Sequence, residues 1–411
     1  MSENNTVVGS FGTVLEPARF TECIGNYDVA VCGGGIAGIA AALAAARNGA
    51  RTVLLERGFL LGGLATAGLI AIYLPLCDGM GNQVTFGIAE ELLRFSVRHG
   101  SDATDLASHP WLGNGTREAR VKERFLVRYN PQVFAVDVET LLRDAGVTIL
   151  FGAQVCSAVT DGDRITHLIV EGKSGRQAIV VRSVVDCTGD ADIVHLSGED
   201  EALFGQGNVL AGWYYEVKDG RYALHPLGAA DIPDEERDAK RPTYLTDRRF
   251  SGLDTAELSE QVTMSHAASL SDFLRDGPVT AEHTLATLPT VPQVRMTRRV
   301  AGISTLDTKD IRVRFDDSVG LFGDWRKRGP VYELRFSALH GKRVANLICA
   351  GRNISATDAM WNVTRVIPVC ALSGEAAGTA AAFATDFRTV DMGKLTDRLI
   401  RQGVKLHAND L

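Results

Sequence analysis

Two long stretches without a charged residue lie near the start of the chain, and they most constrain how it can fold. They cover residues 29–46 and 58–77, which makes them 18 and 20 residues long. Those lengths match a membrane-spanning helix. The second stretch, however, contains four glycines, a threonine and a proline, a composition that argues against a helix in lipid. The alternative is a pair of buried segments in a soluble protein.

The first stretch contains a dinucleotide-binding pattern. The run 28–32, DVAVC, predicts a short buried strand, and it leads into GGGIAG at 33–38, where Gly33, Gly35 and Gly38 have G-x-G-x-x-G spacing. An alanine-rich helix to about residue 48 and a second strand at 51–55 are predicted to follow. In this pattern Gly33 permits the tight turn, Gly35 lets backbone N–H groups approach a diphosphate, and Gly38 lets the helix pack on the strand. Glu56 then stands where a carboxylate binds the ribose hydroxyls.

The second stretch favours FAD over NAD as the dinucleotide. It begins GFLLGGLATAG directly after Glu56 and Arg57, where an NAD domain normally continues into another helix and parallel strand. A Gly-Gly loop at this point is typical of FAD proteins, because the backbone must pass close to the diphosphate and the flavin ring. Two later strands, at 180–186 and 346–350, lead into DCTGD and GRNISA. The second of these precedes a helix predicted at 366–384, whose start is expected to stabilise negative charge on the reduced flavin.

These motifs together resemble the FAD-dependent oxidoreductase family, with a flavin domain similar to that of fumarate reductase-type flavoproteins. The resemblance rests on residues 27–56 and on the segments GFLLGGLATAGL, VVDCTGDADIVHLSG, RRVAGISTLDTKDI, NLICAGRNISATDAM and TRVIPVCALSGEAAGTAAA. It implies an α/β fold, with a Rossmann-like FAD-binding domain of the glutathione reductase-like type and a mixed α+β cap or substrate domain. Family members often have a histidine after the SAT tripeptide, where this chain has Asp358.

The residues predicted to bind FAD come from five separated parts of the chain. The predicted FAD-binding residues are Gly33, Gly35, Ile36, Ala37, Gly38, Glu56, Arg57, Gly62, Gly63, Leu64, Ala65, Thr66, Val155, Thr188, Gly189, Gly351, Arg352, Arg365 and Pro368.

The distribution of the motifs predicts a discontinuous FAD-binding domain made of residues 1–100, 130–200 and 291–411. The polar segment 101–129 is predicted to be an insertion. Residues 201–290 carry none of the cofactor motifs, and they include an aromatic strand at 213–216 and an amphipathic helix at 254–276. We therefore expect 201–290 to form the cap or substrate domain.

Charge and cysteine content restrict the remaining function classes. The chain has 43 basic and 50 acidic residues, a net charge of −7, which disfavours a nucleic-acid partner. Its seven cysteines are scattered and no pair has CxxC spacing, so neither a dithiol redox centre nor a metal site is predicted. The first ten residues lack the pattern of a signal peptide. These features predict a cytoplasmic protein without a membrane segment, and they leave a homo-oligomer open.

Candidate catalytic residues are less well defined by the sequence than the FAD-binding ones. Histidine and tyrosine side chains can move a proton, and arginine can stabilise an anionic substrate or flavin. A buried core position or a structural ion pair is the alternative for each candidate. The candidates are Arg298, Arg299, Asp358, His225, His109 and Tyr214.

The leading functional hypothesis is an FAD-dependent dehydrogenase or reductase of a small organic molecule. Hydride would be transferred at flavin N5, with an arginine, histidine or tyrosine handling the proton and an unidentified electron donor or acceptor completing the cycle. An oxygen-using flavin oxidase or monooxygenase is the enzymatic alternative. A flavin-binding redox sensor without turnover is the non-enzymatic alternative.

Overall fold

The computed structural model describes residues 16, 18–101, 106, 109–112, 115–228 and 245–411. In that part of the chain the strands β1 to β16 are Cys23–Cys32, Thr52–Glu56, Ile72–Tyr73, Val127–Arg128, Thr148–Phe151, Gln154–Asp161, Arg164–Gly172, Gly175–Asp186, Glu201–Leu203, Tyr214–Lys218, Arg221–His225, His283–Thr287, Arg298–Val300, Ser318–Gly323, Val331–Arg335 and Leu347–Cys349. The helices α1 to α9 are Ile36–Arg47, Ile88–Ser96, Arg117–Lys122, Pro131–Asp144, Asp192–Ser197, Thr255–Arg275, Asp358–Thr364, Ile367–Ala381 and Met392–Arg401.

A mostly parallel sheet organises the fold. Among the described residues its parallel part has the order β5-β2-β1-β8-β16, and β7 and β6 extend it as antiparallel strands beside the first half of β8. The end of β1, 29–32, is buried and wholly apolar, as expected for a central strand covered on both faces. The chain is therefore an α/β protein in which the carboxyl ends of β1, β2, β8 and β16 meet at one edge.

Close packing of two helices explains the alanines of the first uncharged stretch. Helix α1 packs against α8, both helices contact strands of the sheet, and residues 36–45 of α1 are all buried. A Cβ atom on Gly374 or Gly378 of α8 would collide with the carbonyl oxygen of Ala37 or Ala41. Because both of these positions are glycine, the two helix backbones can approach each other closely. The first uncharged stretch is therefore a strand, a turn and a buried helix.

The second uncharged stretch forms a loop. It contains a single 3₁₀ turn at Gly63–Ala65 and the short strand β3. Leu69 in this loop is buried with φ +59°, a conformation that costs energy for a residue with a branched side chain. No helix in the described ranges is both long and apolar enough to cross a membrane.

A second, smaller layer comes from the predicted cap region. Strands β11-β10-β12 form an antiparallel sheet, and side chains at the C-terminal end of α6 contact one of its faces. On the other face Tyr215 and Leu224 cover Leu69 of the loop. The chain returning from the cap is fastened to the same loop, because Thr290 N donates to Ala67 O at 2.8 Å. The cap sheet thus lies between α6 and the loop formed by residues 58–77, the glycine-rich loop.

Candidate cofactor site

The G-x-G-x-x-G turn joins β1 to α1 at the carboxyl edge of the sheet. Gly33 has φ +99°, and a Cβ there would lie 2.5 Å from Cys187 O. A Cβ on Gly38 would collide with Gly33 O, so both positions exclude a side chain. A Cβ on Gly35 would meet no atom within 4 Å. Gly35 therefore faces open space, while its two neighbours in the motif shape the turn.

The Gly-Gly loop packs directly against this turn. Gly62 N donates to Gly34 O at 2.8 Å, and a Cβ on Gly63 would lie 3.2 Å from Gly35 Cα. The Glu56 carboxylate accepts from Gly34 N and from Gly58 N, each at 2.6 Å. Glu56 thus ties the turn to the loop in addition to its predicted contact with ribose hydroxyls.

A buried carboxylate shapes the third segment, the DCTGD turn. Asp186 accepts from Thr188 N at 3.0 Å, Thr188 Oγ1 at 2.7 Å, Ile193 N at 2.9 Å and Val194 N at 3.1 Å. Burial raises the pKa of Asp186. Ala191, directly after the turn and before α5, is buried with φ +54°. The four hydrogen bonds hold the turn and the start of α5 in one conformation beside the glycine motif.

An ion pair joins the C-terminal motif to the same turn. Arg352 Nη2 lies 3.1 Å from Asp190 Oδ1, and Arg352 Nη1 donates to Arg295 O at 3.0 Å. Thr297 Oγ1 donates to the same Asp190 oxygen at 2.8 Å. A Cβ on Gly189 would lie 2.5 Å from the guanidinium, so the glycine makes room for Arg352. Two FAD-type motifs and the chain returning from the cap meet at this point.

These segments surround a cavity of about 350 Å³, a size within the usual range for ligand pockets. Of the predicted FAD-binding residues, Gly38, Thr66 and Pro368 do not line it. Thr66 Oγ1 donates to Leu61 O, and Pro368 lies in the first turn of α8. The predicted residues that line the cavity are Gly33, Gly35, Ile36, Ala37, Glu56, Arg57, Gly62, Gly63, Leu64, Ala65, Val155, Thr188, Gly189, Gly351, Arg352 and Arg365.

The chemistry of the lining fits FAD. The start of α1 has neither a side-chain cap nor an acidic residue in its first turn, which leaves its N–H groups for an anion. Arg57, Arg298, Arg352 and Arg365 add positive charge to the lining. The open space at Gly35 gives a diphosphate room to approach the backbone. The arrangement is therefore that of a site for a negatively charged dinucleotide.

Several lining residues were missed by the sequence analysis. Asp192 is one of them, although the two acidic residues that follow Thr188 and Gly189, Asp190 and Asp192, are a visible signal in the sequence. The others include Gln154 and an apolar group contributed by the cap and by the chain returning from it, for which the sequence gives no motif. The apolar group is Leu253, Leu258, Val291, Pro292 and Val294.

Two of the six predicted catalytic residues are the adjacent arginines Arg298 and Arg299, and they differ from each other in whether they line the cavity. Arg298 lines the cavity, with its guanidinium 3.4 Å from Glu201 Oε2 and 3.9 Å from Asp192 Oδ1. Arg299 Nη1 instead donates to Asp358 Oδ1 at 2.8 Å, and its guanidinium lies 4.5 Å from the centre of the Trp361 ring. Arg299 and Asp358 are thus brought together as an ion pair, and neither lines the described cavity.

The remaining three candidates lie away from the described cavity lining. His225 Nε2 is 2.9 Å from Glu216 Oε1, and its ring stacks on Tyr214 in the cap sheet. His109 is buried against Phe125, 3.3 Å from an oxygen of Glu123. Their contacts are those of packed structural groups, so the structure offers no direct support for a role of His225, His109 or Tyr214 at a reacting atom.

Similarity to a known family decides the cofactor. The sequence profile of a family described as FAD dependent oxidoreductase matches residues 28–209 and 206–399. The chain belongs to the FAD dependent oxidoreductase family. Like that family it is an enzyme, and its cofactor is FAD. None of the curated proteins matches the chain.

Solved structures resemble this member of the FAD dependent oxidoreductase family at low sequence identity. A p-nitrophenol 4-monooxygenase from Pseudomonas putida DLL-E4 is 15% identical, with a TM-score of 0.47 over 92% of this chain and 84% of the other. A geranylgeranyl bacteriochlorophyll reductase-like protein from Thermoplasma acidophilum is 12% identical, with a TM-score of 0.44 over 92% and 82%. A 3-ketosteroid-delta4-(5alpha)-dehydrogenase from Rhodococcus jostii RHA1 is 16% identical, with a TM-score of 0.40 over 89% and 98%.

Asp192 is expected to make FAD binding depend on pH. Burial, helped by Asp190 and Asp186, raises the pKa of Asp192 to about 6. Above that pH it adds a negative charge to the cavity lining, which would disfavour an anionic cofactor, so FAD binding is expected to favour the protonated carboxyl. We expect affinity for FAD to fall about tenfold, or ~1.4 kcal/mol, between about pH 5 and 7. Titration of the apoprotein by flavin fluorescence measures this. Asp192→Asn is expected to keep the low-pH affinity throughout, and an equal pH dependence in both proteins would contradict the assignment.

Proposed function

We propose that this FAD-dependent enzyme is a dehydrogenase or reductase that transfers a hydride between the flavin and a small organic molecule with an apolar body. The observation that carries the proposal is the apolar group in the cavity lining. Leu253 and Leu258 come from the cap, and 291–294 come from the chain that returns from it. Apolar walls with a few polar groups are the usual environment of a small organic ligand.

The residues around the cavity have distinct roles in this proposal. When bound, FAD supplies hydride or electron transfer at its N5 atom. The start of α1 and the arginines would hold the diphosphate, and Glu56 would accept hydrogen bonds from the ribose hydroxyls. Arg365 is oriented by Asn362 Oδ1, which accepts from its Nη2 at 2.6 Å. Together with the uncapped start of α8, Arg365 places positive charge at the cavity, which favours negative charge on the reduced cofactor.

The proposal also covers how FAD is attached, the type of FAD domain, the cellular compartment and the electron partner. We propose that FAD is held without a covalent bond, because burial raises the pKa of the lining residue Cys370 to about 12 and so disfavours a reactive thiolate.

The strand order supports a Rossmann-like FAD domain of the glutathione reductase-like type. All seven cysteines are free, which supports a reducing compartment such as the cytoplasm. The electron partner is a separate donor or acceptor.

The reaction of the reduced enzyme with oxygen tests the proposal. FAD-loaded protein is reduced with dithionite without oxygen and then mixed with oxygenated buffer in a stopped-flow instrument, with free reduced FAD as the control. A dehydrogenase or reductase is expected to reoxidise no faster than free reduced FAD. Reoxidation about a hundredfold faster, a barrier lower by ~2.7 kcal/mol, would instead assign an oxidase or monooxygenase.

A further inference from the structure

A buried carboxylate lies between two histidines in the cap, outside the cofactor cavity. Glu216 is 2% exposed. Its Oε1 lies 2.9 Å from His225 Nε2, and its Oε2 lies 3.5 Å from His283 Nε2. The three residues come from the adjacent strands β10, β11 and β12. One buried carboxylate therefore faces two imidazole rings, and imidazole is a side-chain group that can gain or lose a proton.

Four of the other charged side chains around this cluster are paired with one another. Asp276 Oδ2 accepts from Lys218 Nζ at 2.6 Å. Asp272 forms an ion pair with Arg275 and accepts from the Tyr214 hydroxyl at 2.9 Å. The titratable and charged groups near the cluster are Tyr214, Lys218 and Asp219 from β10 and its turn, His225 from β11, His283 from β12, and Asp272, Arg275 and Asp276 from α6.

This pairing leaves a histidine proton as the counter-charge for Glu216. With one imidazole protonated the cluster is neutral. With both imidazoles neutral, a buried negative charge remains near two acidic residues of α6, which is unfavourable in a poorly solvated place. Contact between α6 and the cap sheet should therefore weaken as pH rises, since the His283 ring packs 4.2 Å from Phe273 of α6 at this contact.

Two structural connections join the cluster to the cofactor cavity. Thr255 and Leu258, in the first turns of α6, line the cavity. On the opposite face of β10, Tyr215 packs on Leu69 in the glycine-rich loop and stacks on Tyr222, with ring centres 4.5 Å apart. A change in how α6 docks would therefore move cavity-lining residues, and a shift of β10 would move the loop.

We propose that Glu216, His225 and His283 are positioning residues that form a proton-dependent latch. The latch holds α6 on the cap sheet while one histidine is protonated. When that proton is lost, the latch loosens and the cap side of the cavity opens. The latch thus couples pH to access to the cofactor cavity, whichever organic molecule the enzyme uses.

Amide hydrogen exchange of the FAD-loaded protein tests the latch directly. Protection factors of α6, corrected for the intrinsic pH effect on exchange, are measured at about pH 6 and 8.5, with α8 as the internal reference. In the wild type we expect α6 protection to fall about tenfold or more, while α8 changes little. Glu216→Gln keeps the shape of the side chain but removes its charge, and it is expected to reduce the change in α6 to less than about threefold.

A second variant keeps the test decisive if Glu216→Gln does not fold. The His225 side chain is 34% exposed, so His225→Gln should be tolerated. It leaves His283 as the single proton carrier, and in a pH series between those two values we expect the loosening transition to move down by ~0.3 pH units, the statistical factor of two for one carrier instead of two. His99→Gln, at an exposed histidine beside Asp137, is the control expected to leave the α6 transition unchanged. A pH-independent α6 in the wild type, or an unaltered transition in both cluster variants, would overturn the latch.

Discussion

Replacement of Gly35 by valine is expected to give a folded protein that no longer holds FAD. Gly35 has φ −68° and ψ −177°, which suits any residue, and a Cβ there meets no atom within 4 Å. The fold should therefore tolerate the substitution. The added methyl groups point into the space that the diphosphate needs, and we expect the FAD dissociation constant to rise at least about a hundredfold, or ~2.7 kcal/mol. Flavin fluorescence titration measures this, and thermal unfolding of the apoprotein checks the fold.

Gly38→Ala is the matched control for this prediction. A Cβ at residue 38 collides with Gly33 O inside the turn, so this variant should lower the unfolding temperature of the apoprotein itself. Valine at 35 and alanine at 38 thus separate loss of the ligand from loss of the fold. If Gly35→Val bound FAD as tightly as the wild type, the cavity above the turn would not be the cofactor site.

The sequence predicted the parts of the site that local backbone requirements determine. Gly33 needs a positive φ, and Gly38 must avoid a carbonyl oxygen, so their spacing carries the geometry with it. The helix predicted at 366–384 is shorter in the structure and ends at Ala381. The difference in helix length does not affect the site, because the motif positions the site and the end of the helix does not.

Contacts between distant residues could not be predicted in the same way. The partners Asp190 and Arg352 are 162 positions apart, and no local pattern pairs them. The apolar cap wall has no motif, since any apolar residue meets its requirement. His225 and Tyr214 were chosen for their chemistry, but β10 and β11 turn both towards α6. Residue type therefore indicated which groups can titrate, while only the tertiary structure showed what they face.

Replacement of Arg352 by alanine is expected to impair both the fold and FAD binding. The Arg352 and Asp190 side chains are only 14% and 18% exposed. Removing the guanidinium leaves Asp190 without its cation, and we expect unfolding free energy to fall by about 2–4 kcal/mol. It also removes one cation from the cavity and the link to Arg295 O. FAD affinity should fall at least about a hundredfold. Urea unfolding of the apoprotein and flavin titration at a temperature where it is folded measure the two effects.

A comparison with a second buried ion pair separates these two effects. Arg326 binds Asp324 through Nε at 3.0 Å and Nη2 at 2.9 Å, with side chains 14% and 1% exposed, and neither residue lines the cavity. Arg326→Ala should therefore cost similar stability but leave FAD affinity within about threefold of the wild type. Arg352→Lys keeps the charge but cannot span Asp190 and Arg295 O together, and it should fall between the wild type and alanine. If Arg352→Ala lost stability alone, as Arg326→Ala is expected to, Arg352 would support the turn without contributing to cofactor binding.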